Sequence, residues 1–179
     1  FITQFSSAQS WRDRRDQPEK LMDIAGVKPG MSIGEAGAGR GYLTFHLSRR
    51  VGEKGRIYAN DIDAKVLKTI SDRCKKEGIK NIEIVPGKIA DPCFPESDLD
   101  MIVMIYAFHD FTQKEAWLNN VKKYLKKDAE IVIFDREDSH TKMSEKLMVN
   151  LGEKTGFKLI RYDQLHNDIF VYILEMEKA

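Results

Sequence analysis

The sequence predicts an α/β domain built on a mostly parallel sheet, and three observations support this. Short apolar runs alternate with amphipathic stretches, which is the pattern of strands joined by helices. A glycine-rich segment lies between the first apolar run and a helical stretch, as in many α/β ligand-binding domains. The last two apolar runs follow each other without a helix between them, which predicts an antiparallel hairpin.

The predicted strands are short runs rich in apolar and β-branched residues. The run at 99–106 is the most continuous, which is typical of a central strand buried on both faces. The stretch 163–168 joins the two final strands. The seven predicted strands are 31–34, 56–60, 81–85, 99–106, 129–134, 158–162 and 169–176.

The predicted helices carry apolar residues at helical spacing and have recognisable ends. Pro18 suits a first helical position, where its missing N–H is not needed. Gly156 suits the position just after a helix. The predicted helices are 18–24, 41–49, 63–77, 112–127 and 141–155.

The 179 residues are enough for one domain, which we assign to 18–179. The preceding segment, 1–17, is polar and rich in arginine. We interpret it either as a lid that closes over a ligand or as a terminus without such a role. The sequence opens on Phe1 rather than Met and without a signal pattern, so we expect it to derive from a longer chain.

Charge and composition narrow the function classes. The net charge of +1 argues against a broad nucleic-acid surface, and paired lysines fall on predicted helix exteriors. No apolar run has the length of a membrane span. Cys74 and Cys93 are too few for a disulfide framework or a metal cluster, so we expect free thiols, no metal and a cytoplasmic location.

The glycine-rich segment has the spacing Gly37-x-Gly39-x-Gly41 and begins after Glu35. Glycines here allow positive φ and close approach of a ligand to the backbone. A carboxylate at Glu35 would repel a pyrophosphate but attract an ammonium group. The segment therefore favours a zwitterionic ligand without phosphate, the alternative being an ordinary tight turn.

Asp61 ends the second predicted strand, about 20 residues after the glycines, where an acidic residue can bind both hydroxyls of a ribose. The alternative role for Asp61 is to cap the next helix, although Asp63 is also available for that. An amino-acid end at Glu35 and a ribose at Asp61 together describe S-adenosylmethionine.

These residues resemble the first two motifs of the class I S-adenosylmethionine-dependent methyltransferases, at 35–41 and 57–63. The segments 85–92 and 99–104 resemble their third and fourth motifs. The resemblance implies a three-layer αβα, Rossmann-like methyltransferase fold with a seven-stranded sheet whose last strand is antiparallel. It also implies an enzyme of EC 2.1.1.- that uses S-adenosyl-L-methionine and releases S-adenosyl-L-homocysteine.

The resemblance also implies roles for single residues. Glu35, Gly37 and Gly39 would hold the methionine end of the cofactor, with Gly41 completing the motif. Asp61 would bind the ribose and Ile62 would pack on the adenine. The adenine edge would lie along Lys88 and Ile89, and Tyr106 would form part of the wall.

One position departs from the family pattern. Many members carry an acidic residue where this sequence has Lys88. Either Asp91 or backbone groups would then make the adenine contact.

Methyl transfer requires alignment and exclusion of water, and a general base only where the acceptor loses a proton. His109 follows the fourth strand, at the end of the sheet that faces the ligand in such folds. We consider it as a catalytic residue that deprotonates or orients the acceptor, the alternative being a packing role in its loop.

The hypothesis that best fits the sequence is a methyltransferase acting on a small molecule. The absence of an Asn/Asp-Pro-Pro-Tyr tetrapeptide argues against many nucleic-acid and protein amine substrates. The alternatives are a non-catalytic cofactor-binding partner subunit, an RNA or protein methyltransferase, and a nicotinamide-dependent oxidoreductase. The acceptor and the oligomeric state stay open.

Overall fold

A computed structural model describes residues 7–177, with side chains from residue 11 onward. Seven strands form one sheet in the order β3-β2-β1-β4-β5-β7-β6. The strands are β1 Ser32–Ala36, β2 Arg56–Asp61, β3 Ile82–Pro86, β4 Leu99–Ile105, β5 Leu125–Arg136, β6 Phe157–Gln164 and β7 Ile169–Met176. The helices of the described part are α1 Ser7–Asp16, α2 Pro18–Ile24, α3 Tyr42–Val51, α4 Ala64–Glu77, α5 Lys114–Val121 and α6 Glu145–Thr155.

The fold class predicted from the sequence is confirmed. β1 to β5 are mutually parallel, whereas β7 pairs antiparallel with both β5 and β6. The second strand of the final hairpin, β7, therefore lies between β5 and β6, and the first strand, β6, forms the edge of the sheet. A connection of four residues between β6 and β7 is too short for a crossover helix, so an antiparallel hairpin is the geometry that the chain can adopt.

Helices cover both faces of the sheet, because side chains on successive strand residues point to opposite faces. On one face, α2 and α3 pack against Met101 and Val103. Next to them, α3 and α4 pack around Ala59. On the other face, α5 and α6 pack against Ile102 and Met104. The result is the expected three-layer architecture.

The helix predicted over 112–127 is shorter than expected. It covers Lys114–Val121, continues as a 3₁₀ turn at Lys122–Tyr124, and gives way to β5 at Leu125. Leu125 pairs with Leu99 of β4, so the sheet takes residues that we had assigned to the helix. Local helical spacing of apolar residues is overridden here by strand pairing.

The helix predicted from residue 141 begins later. Ser144 caps α6 by accepting a hydrogen bond from the Leu147 N–H at 3.2 Å. Thr141 belongs instead to the preceding loop, where its hydroxyl donates to the Arg136 carbonyl at 2.7 Å.

The N-terminal segment contains a helix, α1, that the sequence did not predict. The helix is polar, so its sequence lacks the apolar stripe by which surface helices are recognised. The first six residues of the predicted 1–17 segment, and residues 178–179, lie outside the described residues. Within the described range, no helix combines the length and apolar character needed to cross a membrane.

Candidate active site

A cavity of about 470 Å³ opens at the carboxyl ends of the central strands. It lies where β2 and β4 flank β1 on opposite sides, so the chain leaves β1 in one direction and returns on the other side at β4. Such a switch point is the usual ligand position in open α/β sheets. Seven of the predicted site residues line the cavity: Gly37, Gly39, Asp61, Ile62, Lys88, Ile89 and Tyr106.

The β1–α3 loop forms the floor of the cavity and requires glycine for two different reasons. Gly37 has φ +73°, and a Cβ there would lie 2.4 Å from the Cβ of Ala107, so the loop is pressed against the end of β4. Gly39 has φ +54°, and a Cβ there would meet no atom within 4 Å. Gly41 does not line the cavity; it precedes α3 and packs toward Phe45.

Asp61 joins the two loops that flank the cavity. Its Oδ2 accepts the Gly39 N–H at 2.9 Å, and its Oδ1 accepts the Asp63 N–H at 3.0 Å. The cap of α4 is Asp63, whose Oδ1 accepts the Lys65 N–H at 2.7 Å. Each Asp61 oxygen has a second lone pair, so the carboxylate can still accept hydrogen bonds from two hydroxyls of a ligand.

Glu35 lies beneath the loop and is not part of the cavity lining. It is 1% exposed, and the Thr44 hydroxyl donates to its Oε2 at 2.5 Å. Burial raises the pKa of Glu35 to about 8, against the opposing influence of the Thr44 hydrogen bond and the Arg12 guanidinium. Without a ligand this carboxyl is therefore mostly protonated at neutral pH, and a cation bound beside it would favour its ionised form.

Two aliphatic side chains stand at the rim of the cavity. Ile62 is 65% exposed and Ile89 is 52% exposed, which is unusual for large apolar residues and marks an apolar contact surface. Both border the side of the cavity that is formed by the ends of β2 and β3.

Asp91 does not take the place of the acidic residue that Lys88 replaces. Its carboxylate accepts hydrogen bonds from Lys123 at 2.6 Å and from the Tyr124 hydroxyl at 2.8 Å, and it does not line the cavity. Its backbone pairs with Lys88. Of the two alternatives that the sequence left open, this arrangement favours backbone contacts.

The structure adds cavity residues that the sequence did not single out. Asn60 is buried, and its side-chain amide donates to the Val85 carbonyl at 3.0 Å and the Pro92 carbonyl at 2.7 Å, which fixes the loop after β3. The segment after β4 contributes the others, and its position after a central strand was the available signal. These further residues are Ala107, Asp110, Phe111, Thr112 and Trp117.

His109 lies beside the cavity and forms a pair with a buried carboxylate. Its ring Nδ1 is 2.9 Å from Oδ1 of Asp135, and its backbone N–H donates to Oδ2 at 3.1 Å. Asp135 is fully buried, and burial raises its pKa. The other ring nitrogen, Nε2, is 3.4 Å from Oδ2 of Asp110, which lines the cavity. The pair could not be predicted from the sequence, because the adjacency of β4 and β5, not sequence proximity, brings Asp135 to His109.

Helix α1 is fastened to the cavity wall through Asp16. The Tyr106 hydroxyl donates to Oδ1 of the fully buried Asp16 at 3.1 Å. Burial opposes ionisation of Asp16, but Arg15 and Arg12 hold its pKa below the ordinary value. Tyr106 itself has φ +52°, a strained backbone for a residue with a bulky side chain.

The described residues show neither a metal cluster nor a disulfide. Residues 7–177 contain no group of three His, Cys, Asp or Glu side chains arranged to hold a metal ion. Both cysteines are free thiols, Cys74 buried and Cys93 half-buried.

Comparison with known proteins identifies the family. A family profile described as "Methyltransferase domain" matches residues 27–173. Among curated proteins, the ubiquinone/menaquinone biosynthesis C-methyltransferase UbiE of Shewanella sp. (strain ANA-3) is 26% identical over 140 residues. That match covers 78% of this chain and 54% of the relative, so the chain spans about half the length of the curated relatives it matches.

Solved structures agree with the sequence comparisons. A SAM-dependent methyltransferase from Aquifex aeolicus superimposes with a TM-score of 0.82 and 25% identity, covering 96% of this chain and 98% of that one. A TehB-like SAM-dependent methyltransferase from Corynebacterium glutamicum has a TM-score of 0.71 and 20% identity, covering 96% of each chain, and supports the fold alone. The chain belongs to the class I S-adenosylmethionine-dependent methyltransferases.

Proposed function

We propose that this chain transfers a methyl group from S-adenosylmethionine to a small-molecule acceptor. The observation that carries the proposal is the cavity at the β1/β4 switch point, which combines a glycine floor, a carboxylate and an apolar rim. A nucleoside with an amino-acid end needs those three kinds of contact. A dinucleotide would bring phosphates toward the carboxylate of Asp61, which like charge disfavours.

The residues present fit the cofactor. Asp61 would accept the ribose hydroxyls, and Ile62 and Ile89 would enclose the adenine. Gly37 and Gly39 would let the methionine end approach the backbone, and Glu35 would attract its ammonium group. Bound there, the cofactor supplies an activated methyl group.

His109 is the residue we propose to handle an acceptor proton. If the Nδ1–H donates a hydrogen bond to the buried carboxylate of Asp135, Nε2 carries the lone pair and faces the side of Asp110. Asp135 would then be a positioning residue that holds the ring and stabilises the imidazolium. A buried acid in that position supports the catalytic alternative over a packing role.

Helix α1 is proposed as the cover of the site. Asp16 fastens it to Tyr106 in the cavity wall, and Arg12 stacks on Tyr42 at the start of α3, 3.7 Å from the ring centroid. A cover of this kind excludes water from a methyl transfer. The division into a 1–17 segment and an 18–179 domain stays a prediction.

The acceptor class rests on indirect support. The UbiE relatives are named for C-methylation in ubiquinone and menaquinone biosynthesis, which concerns small molecules. The net charge of +1 supports no extended nucleic-acid surface. A cytoplasmic location stays a prediction from the free thiols. A non-catalytic partner subunit is the second candidate, favoured only by the small size of the domain.

The first experiment is calorimetric titration with S-adenosylmethionine, S-adenosylhomocysteine and NAD. We expect saturable binding of the two sulfur ligands and none of NAD. At 100 times its dissociation constant, S-adenosylhomocysteine should stabilise the fold by about 2.7 kcal/mol. Binding of NAD in preference would contradict the proposal. Methyl-³H transfer to a panel of small acceptors then separates an enzyme from a binding module.

A further inference from the structure

The ring of Tyr106 lies between two guanidinium groups. The Arg15 Cζ is 5.8 Å and the Arg136 Cζ 5.4 Å from the ring centroid. Arg15 is neutralised by Asp16, at 2.6 Å. Arg136 forms no ion pair with any residue of the described chain. This end of the sheet therefore holds a guanidinium without a direct ion-pair partner among the described residues.

Arg136 also carries an unused hydrogen-bond donor. Its Nε is buried and has no hydrogen-bond partner within the described residues. A buried N–H without an acceptor costs free energy, and native sites of this kind are commonly completed by a ligand or ordered water. A guanidinium with a free Nε–H edge matches a carboxylate or phosphate in bidentate geometry.

A second unpaired nitrogen lies at the same end of the sheet, in the loop that precedes β7. The Nε2 of His166 is 3.2 Å from the Asp16 carbonyl, but its Nδ1 is buried without a partner. Arg136 pairs with Ile169 across β5 and β7, and the Ile169 N–H donates to the His166 carbonyl at 3.2 Å. Two orphan polar atoms thus occur at the same end of the sheet, one of them on a residue that contacts the end of α1.

The position of Arg136 separates it from the cofactor contacts. The adenine and ribose contacts come from the loops after β1, β2 and β3, whereas Arg136 ends β5, on the far side of β4. Glu35 is the proposed partner of the cofactor's ammonium group, and the guanidinium that lowers its pKa is Arg12, not Arg136. Arg136 therefore adjoins Tyr106 on the side away from the proposed adenine and ribose contacts.

We propose that Arg136 binds an anionic group of the methyl acceptor, a carboxylate or a phosphate, beside the ring of Tyr106. The acceptor class is then a small molecule with a negative charge near its nucleophilic atom. This assignment rests on the proposed function, because Tyr106, beside which Arg136 lies, lines the cavity that must hold the cofactor.

The test uses the full chain saturated with S-adenosylhomocysteine. The Arg136 Nε–H signal is assigned in ¹H–¹⁵N spectra by its loss in Arg136→Lys. Benzoate and inorganic phosphate are the anionic probes, and benzamide is the neutral counterpart of benzoate. We expect benzoate or phosphate to shift this signal saturably and benzamide to leave it unchanged. The probe that binds more tightly names the anionic group.

Variants then assign the effect to one side chain. Arg136→Gln should weaken the tighter anion at least tenfold, and Arg136→Lys should retain part of the affinity because it keeps the charge. Arg161→Gln is the matched control, since Arg161 pairs with Asp163 on the exposed strand β6. Both Arg136 variants must melt cooperatively and bind S-adenosylhomocysteine as the parent does.

Two results would overturn the proposal. One is equal anion affinity in the parent and in both Arg136 variants. The other is competition between benzoate and S-adenosylhomocysteine, which would place the anion at the cofactor's own carboxylate. Failure of the proposed function is separate, because it appears as absence of S-adenosylhomocysteine binding in calorimetry while the anion shift can still be measured on the ligand-free chain.

Discussion

At the scale of single residues, Glu35 couples proton binding to both folding and cofactor binding. Burial raises its pKa from 4.5 to about 8, so between these values the folded chain keeps a proton that the unfolded chain has lost. The unfolding free energy of the ligand-free protein should therefore fall as pH rises from 4.5 to about 8. The largest slope is about 1.4 kcal/mol per pH unit.

Cofactor affinity should have the opposite pH dependence. An ammonium group beside Glu35 requires the carboxylate form, so binding below pH 8 releases the proton and affinity for S-adenosylhomocysteine rises with pH up to about 8. Calorimetry at several pH values measures this change in affinity. Glu35→Gln keeps the shape and an acceptor for Thr44 and should flatten both profiles. An unchanged affinity profile in that variant would remove Glu35 from the binding site.

Asp61 and Asp63 offer a comparison between two neighbouring carboxylates. Asp61→Ala should weaken S-adenosylhomocysteine binding by about 1–3 kcal/mol, because ribose hydroxyls and the Gly39 N–H lose an acceptor. Asp63→Ala removes the cap of α4 and should cost about 1 kcal/mol of stability. We expect its cofactor affinity to stay unchanged. Calorimetric titrations give the affinity and melting curves give the stability of each variant. Equal S-adenosylhomocysteine affinities in the two variants would leave Asp61 with a structural role only.

Most of the predicted site residues line the cavity, but their exposure could not be predicted from the sequence. Asp61, Ile62 and Tyr106 line the cavity because they follow strand ends, which the apolar runs locate. Glu35 is the last but one residue of β1 and is covered by the loop that follows. His109 was identified, but its orientation depends on Asp135, which only the pairing of β4 with β5 brings near.

At the scale of elements, the β1–α3 loop can be tested with matched glycines. Gly39 and Gly78 have φ of +54° and +68°, and a Cβ at either position meets no atom within 4 Å. Alanine at either should cost about 1–2 kcal/mol of stability through backbone strain. Only Gly39 lines the cavity, so Gly39→Ala alone should weaken S-adenosylhomocysteine binding. Equal binding by the two folded variants would place the cofactor elsewhere.

The order of strands and helices followed from the sequence, whereas some boundaries did not. A buried Leu125 followed by the exposed Lys126 and Lys127 suits the end of a helix as well as the start of a strand, and only the partner Leu99 decides between them. Helix α1 is stabilised by Asp16 and by the Asp13–His46 contact at 3.1 Å. Long-range polar contacts of this kind leave no periodic pattern in the sequence.

At the scale of the whole molecule, α1 is expected to set the rate at which the cofactor leaves. Tyr106→Phe removes the hydroxyl that bonds to Asp16 and should loosen α1 by about 1 kcal/mol. The dissociation rate of S-adenosylhomocysteine should then rise roughly fivefold, which stopped-flow fluorescence can follow.

A matched control for that variant is Tyr172→Phe. The Tyr172 hydroxyl also bonds to a carboxylate, Glu137 at 2.6 Å, but the residue does not line the cavity. We expect it to lower stability without changing the dissociation rate. Similar rates in both variants and the parent would mean that α1 does not cover the bound cofactor.

The place of β7 in the sheet has a consequence for biosynthesis. β7 lies between β5 and β6 although it is made after both, so β6 has no partner in the sheet and β5 lacks one of its two until Ile169–Met176 has left the ribosome. Until then β5 presents an unpaired edge that includes Ile131, Val132 and Ile133. A nascent chain at that stage is exposed to pairing with a neighbouring copy, and slowed translation over the final hairpin would lengthen the period in which chaperones must protect it.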